Sequence, residues 1–255
     1  KALFLLLTVF LINSESKSQF ADLKFKTGEY TFQTKFDTST YTTVLKVKKD
    51  KKTIFKETYY DGITELKEYD LDNDGKKEIL IEMYSGGAHC CSSLFAGEIQ
   101  KGKFVYTDSI LWGNSYYEIK DLNGDKKFEI SGVNDMFAYA FTNYAQSQMN
   151  ILIYGYKNKK FVNVTKSFPE IVNKQIDDMK TELKPYQDNG FKCPELNEET
   201  FNTDAGAVKA ILAVIVADYN TMGQTFKGYE FIDANYTCPD KERFTNILKS
   251  DFKLK

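Results

Sequence analysis

The 255-residue chain contains one histidine, one tryptophan, four prolines and four cysteines. Because His89 is the lone histidine, any Ser-His-Asp or Cys-His mechanism would have to run through a single position. Arginine is as scarce: of 34 basic residues only Arg243 is arginine, and the rest are lysine. With so few guanidinium forks and a pI near 5.7, the chain is not built to read phosphate or guanine, which argues against nucleic acid as a partner. Low proline and glycine set aside collagen-like and disordered chains. Long apolar runs are also missing. Beyond the first residues the best is Ala205 to Ala217, broken by Gly206 and Lys209, which suits a buried helix and is too short for a membrane span.

What is present points to a β-rich globular protein. Hydrophobic residues make up 42%, enough for a real core, and 20 Phe and 17 Tyr favour strands. The length allows one or two domains. Residues 1–18 read as a secretory signal: Lys1 supplies a positive start, Ala2 to Ile12 are largely apolar, and Ser16-Lys17-Ser18 offers small residues for cleavage. The apolar run, at about 1.5 Å per residue, falls short of a bilayer core of about 30 Å. The expected location is therefore secreted or periplasmic, with no membrane span in the mature chain and in a compartment where disulfides persist.

Residues 19–168 alternate strand patterns with turns. Thr43 to Lys48 alternates apolar and charged side chains, as a strand with one wet face does. Lysine-rich turns at 48–52, 100–103 and 157–160 precede Phe55, Phe104 and Phe161, and each is a hairpin with lysines blunting exposed edges. Their intervals of about 50 residues are those of stacked β-units. A second landmark repeats between them: Asp70-Leu71-Asp72-Asn73-Asp74-Gly75-Lys76-Lys77-Glu78 is matched by Asp121-Leu122-Asn123-Gly124-Asp125-Lys126-Lys127-Phe128-Glu129.

These two loops carry the clearest chemistry. Asp70, Asp72 and Asp74 can turn hard oxygens toward one point, with Glu78 closing the shell, a donor set that suits Ca²⁺ far better than zinc. An EF-hand is rejected, since its twelfth position would be Ile81, inside a strand-like run. In the second loop Asp121, Asn123, Asp125 and Glu129 keep the oxygens. Lys126 stands where the first loop has glycine and Gly124 comes two positions earlier, so a different turn geometry is expected there.

An Asp-x-Asp-x-Asp-Gly-x-x-Glu loop entering a strand, repeated at blade-like spacing, resembles the FG-GAP and VCBS repeats of integrin-type β-propellers over residues 65–165. The resemblance implies calcium held between two strands of a blade by Asp70, Asp72, Asp74 and Glu78, and similarly by Asp121, Asn123, Asp125 and Glu129. Only about three blade-like units are present, where closed propellers use four to eight, so the expected β region is an incomplete or open propeller-like sheet.

Tyr84-Ser85-Gly86-Gly87-Ala88-His89-Cys90-Cys91 follows directly. Adjacent His and Cys residues lack the spacing of zinc ligands, and thiols in a secreted protein tend to be oxidised, so a structural disulfide element is expected here. Ser85, Gly86, Gly87 and His89 form a ligand-binding loop candidate. Joining Cys193 to Cys238 would close a loop worth about 3–4 kcal/mol and leave Cys90 with Cys91, while crossed bridges between the two regions are the alternative.

After Phe168 the period becomes helical. Ser167 and Glu170 have capping-box spacing, and Ile171, Val172, Ile176, Met179 and Leu183 form an apolar face ending before Pro185. A second helix is expected from Asp204 to Tyr219, and a third from Pro239 burying Phe244, Ile247 and Leu248. The fold class is thus α+β: antiparallel blade-like repeats followed by a helical region, 169–255. Every recognisable motif is structural. The leading function is a calcium-stabilised, non-catalytic binding or scaffold protein for a protein or glycan ligand, and the alternatives are an extracellular hydrolase or an envelope protein that inhibits a foreign enzyme.

Overall fold

A computed structural model of the chain describes residues 20–87 and 90–255; the signal-peptide expectation and the position of His89 lie outside the described residues. Among the described residues, twelve strands form three antiparallel sheets of four, each a meander in chain order. The first holds β1 (Lys24–Thr27), β2 (Tyr30–Asp37), β3 (Thr42–Lys49) and β4 (Lys52–Tyr59). The second holds β5 (Gly62–Tyr69), β6 (Glu78–Tyr84), β7 (Ser92–Gln100) and β8 (Lys103–Gly113). The third holds β9 (Tyr117–Lys120), β10 (Glu129–Val133), β11 (Ile151–Lys157) and β12 (Lys160–Asn163).

The lysine turns are the β3–β4, β7–β8 and β11–β12 hairpins, and Phe55, Phe104 and Phe161 each lie on the fourth strand of their sheet. Two apolar layers stack the sheets face to face. Phe32, Leu45 and Val47 of the first meet Ile63, Ile79, Ile81, Met83 and Phe104 of the second. On its other face the second sheet sets Leu80, Leu94, Ala96, Ile110 and Trp112 against Ile130 and Tyr156 of the third. With both faces covered, β6 reads as an almost unbroken apolar run, as strands buried on two sides do. The sheets stack without closing into a propeller.

The described helices follow: α1 (Pro169–Asn189), α2 (Asp204–Thr221), α3 (Thr225–Asn235) and α4 (Lys241–Ser250). Their starts and ends differ from the sequence reading in three ways. No capping box forms, because Ser167 belongs to a short 3-10 turn and α1 starts after Phe168 with Pro169 at its first position, where the missing N–H would be unpaired anyway. The helix then runs through Pro185 to Asn189; Pro185 is on the exposed side, where the carbonyl deprived of its donor meets water. And α3 carries no strong sequence signal, since Gly228 interrupts it. That glycine lets α3 approach α2, for a Cβ there would lie 2.8 Å from Val216 Cα.

Around α2 the other helices assemble, and every residue from Ala205 to Asp218 is buried. Thr203 caps it by accepting from Gly206 N–H at 3.2 Å. The long β10–β11 connection joins this core through Phe137 and Phe141, which ties the helices to the third sheet. Cys193 and Cys238 are bonded at 2.01 Å, tying the segment before α2 to the approach to α4. Lys209, Asp218 and Asp240 are all buried inside. Lys209 pairs with buried Asp240 and also donates to Thr200 Oγ1 at 3.1 Å, while the Tyr236 hydroxyl donates to Asp240 at 2.9 Å.

Asp218 is different: it is fully buried, and neither carboxylate oxygen has a partner. Burial pushes its carboxyl up from 3.8 to about 8. In the intermediate pH range the folded chain holds a proton that the unfolded chain has released. Stability from this group is full below the unfolded value and declines as pH rises to the folded one, by up to about 1.4 kcal/mol per pH unit. Asp218→Asn is expected to flatten the fall in melting temperature between about pH 4 and pH 8, and thermal melts across that range check it.

Candidate metal centre

The two acidic loops are the β5–β6 and β9–β10 connections, at the same place in successive sheets. Each curls around its first aspartate. Asp70 accepts from Asp74 N–H (2.9 Å) and Gly75 N–H (3.0 Å); Asp121 accepts from Gly124 N–H (2.7 Å) and Lys126 N–H (3.0 Å). The fifth residue closes the next turn in both, with Lys76 N–H on Asp74 at 2.8 Å and Lys127 N–H on Asp125 at 2.9 Å. The ninth residue reaches back to the second: Glu78 accepts from Leu71 N–H at 2.9 Å and Glu129 from Leu122 N–H at 3.0 Å.

The expected difference in turn geometry is therefore corrected. Both loops place left-handed residues at their fourth and sixth positions, Asn73 (φ 59°) and Gly75 (φ 84°) in the first, Gly124 (φ 80°) and Lys126 (φ 69°) in the second. The glycine has exchanged places with a side-chain-bearing residue. Asparagine tolerates that region well and lysine does not, but the Asp121 carboxylate holds the Lys126 N–H in position.

The loops differ in the charge they gather. Carboxylate oxygens of Asp70, Asp72 and Asp74 all lie within 4.8 Å of one another, and among the described residues no other group of three His, Cys, Asp or Glu side chains converges in this way. Asn123 in place of Asp72 is why the second loop has no such triad. Glu78 and Glu129 stand apart as buried props beneath the loops. Burial pushes Glu78 up to about 7, and the charges of Asp72 and Asp74 add to the rise. Glu129 is raised for the same first reason, with Asp125 and Asp121 contributing. Asp74 is held low by the N–H and ammonium of Lys76. At Asp121 burial opposes ionisation, but the backbone N–H groups of Lys126 and Gly124 outweigh it. One oxygen is left over: Asp72 Oδ1 is shielded from solvent and has no hydrogen-bond partner.

Phe128 N–H donates to Leu71 O at 3.0 Å and locks one loop to the other. Between them opens a cleft of about 560 Å³ whose wall includes Asp72, Asp125, Phe128, Tyr156, Val162 and Phe168. Nothing in the sequence pattern marked this cleft, because its lining comes from two loops, the β11–β12 hairpin and the start of α1.

At the far end of β6, the Ser85 hydroxyl accepts from Cys91 N–H at 2.7 Å and Ser85 N–H donates to Cys91 O at 3.1 Å. The Tyr84 hydroxyl donates to Gly87 O. Gly86 and Gly87 both have positive φ, and Cys90 is bonded to Cys91. Ser85 thus serves to close the loop, and His89 lies outside the described residues.

The strained lysine supplies a test of the shared loop geometry. Lys126→Gly is expected to stabilise the chain by about 1 kcal/mol, and Gly75→Ala, which meets open space yet must keep φ at +84°, to destabilise it by about 1–2 kcal/mol, both read by urea denaturation.

No protein-family model matches the chain, and no solved structure matches it. Over 187 residues it is 25% identical to a probable thylakoid lumen protein of the cyanobacterium Synechocystis, an alignment covering 71% of this chain and 51% of that protein. The chain spans about half the length of that curated relative. Among the described residues no helix is long and apolar enough to cross a membrane.

Proposed function

We propose that this is an extracytoplasmic, calcium-stabilised binding or scaffold protein whose blade-like sheets resemble FG-GAP and VCBS repeats. The observation that carries the reading is the Asp70–Asp72–Asp74 cluster, three carboxylates within 4.8 Å of one another and one buried oxygen among them unpartnered. Three like charges this close repel, and a cation both removes the repulsion and satisfies Asp72. The donors are all oxygen and sit on a curled loop. This suits Ca²⁺, which takes six to eight oxygens in flexible geometry, rather than zinc.

Asp70, Asp72 and Asp74 would hold the ion, with Glu78 beneath it fixing the Leu71 N–H; Asp121, Asn123, Asp125 and Glu129 form a second, less charged site. The metal supplies rigidity to the connections between strands. The lumenal location in the relative's name and the Cys193–Cys238 bond support an oxidising, extracytoplasmic setting. A rigid stack of sheets that projects loops at both ends suits a binding role.

Calcium at about 100 times its dissociation constant is expected to add about 2.7 kcal/mol, raising the melting temperature by roughly 5–10 °C. Asp72→Asn should remove most of that rise, while Asn123→Asp should increase it. A melting curve indifferent to both calcium and a chelator would overturn the metal reading.

A further inference from the structure

The segment between α1 and α2 is pinned at both ends. Cys193 is bonded to Cys238, and Thr203 caps α2 by accepting from Gly206 N–H. Between these anchors Glu195 N–H donates to Glu198 at 2.9 Å, and Glu199 accepts from Thr200 N–H (2.9 Å) and Phe201 N–H (3.2 Å). The segment is thus held by its own acids rather than by a helix or a sheet. It crosses the start of α2 beside the β10–β11 connection, where Gly206 lets Thr200 O and Phe141 O come close. These two segments, with α2 and α4, enclose a cavity of about 190 Å³.

Both signs of charge line this cavity. Lys209 is buried and enters the wall from α2. Its ammonium carries three donors; among the described residues Asp240 and Thr200 Oγ1 take two of them, which leaves one N–H. Arg243, the chain's one arginine, lines the cavity from α4. Among the described residues its guanidinium makes no ion pair, although Glu198 and Glu199 line the same cavity. Each glutamate spends one oxygen on the loop backbone, Glu198 Oε2 and Glu199 Oε1, and keeps the other. The rest of the wall is mainly apolar, with Phe141, Phe201, Phe244 and Ile247. Phe141 and Phe244 pack edge to face, their ring centres 5.2 Å apart, so this part of the wall is firm.

We propose that this cavity binds a free α-amino acid with an apolar side chain, its carboxylate on Arg243 and Lys209 and its ammonium on Glu198 and Glu199. Size and charge choose the occupant together. Pockets for drug-sized ligands hold about 300–1,000 Å³, so this one is too small for a nucleotide or an oligosaccharide. A dianion would meet the two glutamates, and a diamine would meet Lys209 and Arg243. An uncharged apolar molecule would cover all four charges without answering any of them. A zwitterion answers both signs: the guanidinium fork takes a carboxylate through two parallel bonds, and the glutamate oxygens accept from an ammonium. The phenylalanine rings then take the side chain. The proposal goes beyond the calcium reading and does not rest on it, since the cavity shares no residue with the acidic loops.

Isothermal titration calorimetry of the full chain, in buffer containing a chelator, with L-valine, L-leucine, L-methionine and L-phenylalanine as probes, tests this. Binding of at least one is expected. Its affinity should fall at least about tenfold for glycine, which lacks the side chain, and for the amine and the acid obtained by removing one charged group from the bound amino acid. Arg243→Gln should weaken binding by a similar factor. Arg243 is exposed and outside any ion pair, so the variant should melt at the wild-type temperature, which separates lost binding from lost folding. No heat from any of the four at millimolar concentration overturns the proposal. Equal affinity for the amine or the acid also overturns it, in favour of a ligand with one charge, as does undiminished binding by a folded Arg243→Gln. Because calcium is absent from the titration, failure here leaves the calcium reading standing, and a melting curve indifferent to calcium leaves this site standing.

Discussion

The arrangement depends on the second sheet being buried on both faces. Ile79, Ile81 and Met83 of β6 face the first sheet while Leu80, between them, faces the third. One strand thus supplies two cores. Packing in a protein interior is dense enough that a shift of β6 by one residue would exchange the two sets and disrupt both layers at once. The first acidic loop enters this strand directly. Its Glu78 is the strand's first residue and also the prop of the loop, so loop geometry and core register are fixed together.

The third sheet repeats the scheme at Glu129, the first residue of β10. The bond from Phe128 N–H to Leu71 O joins the two loops across the sheets. Stabilising one loop therefore holds its neighbour, and a metal in the first would act on the stacking of the second and third sheets. The opposite end carries the connections that expose Tyr41, Tyr60 and Tyr116.

The helical region is attached by more than its linker. Phe141 of the β10–β11 connection packs on Phe244 of α4, ring centres 5.2 Å apart, and a Cβ on Gly206 would lie 2.6 Å from Phe141 O and 2.3 Å from Thr200 O. Only a residue without a side chain lets two backbone segments cross the start of α2 this closely. Within that core Lys209 is matched by Asp240, whereas Asp218 is left to protonation. Breaking the former pair would strand a buried charge.

Much of this was legible in the residue order. Lysine turns before Phe55, Phe104 and Phe161 marked the last hairpin of each sheet because turn chemistry and period-two alternation are local. The Asp70 and Asp121 loops were legible for the same reason, as was the wholly buried α2, whose apolar residues surround the helix on all sides. The pattern also suggested that the swap of glycine between Gly75 and Gly124 would change the turn, since sequence does not show that carboxylate–amide bonds can hold Lys126 left-handed. It gave no sign of α3, whose stability comes from packing Gly228 on Val216 rather than from its own propensity. The sequence by itself determined the local units: hairpins, acidic turns and one buried helix. Tertiary structure alone decided that the two loops are bonded together and that a cleft opens between them, because each of these depends on how separate sheets stack, and stacking is set by side chains far apart in the chain.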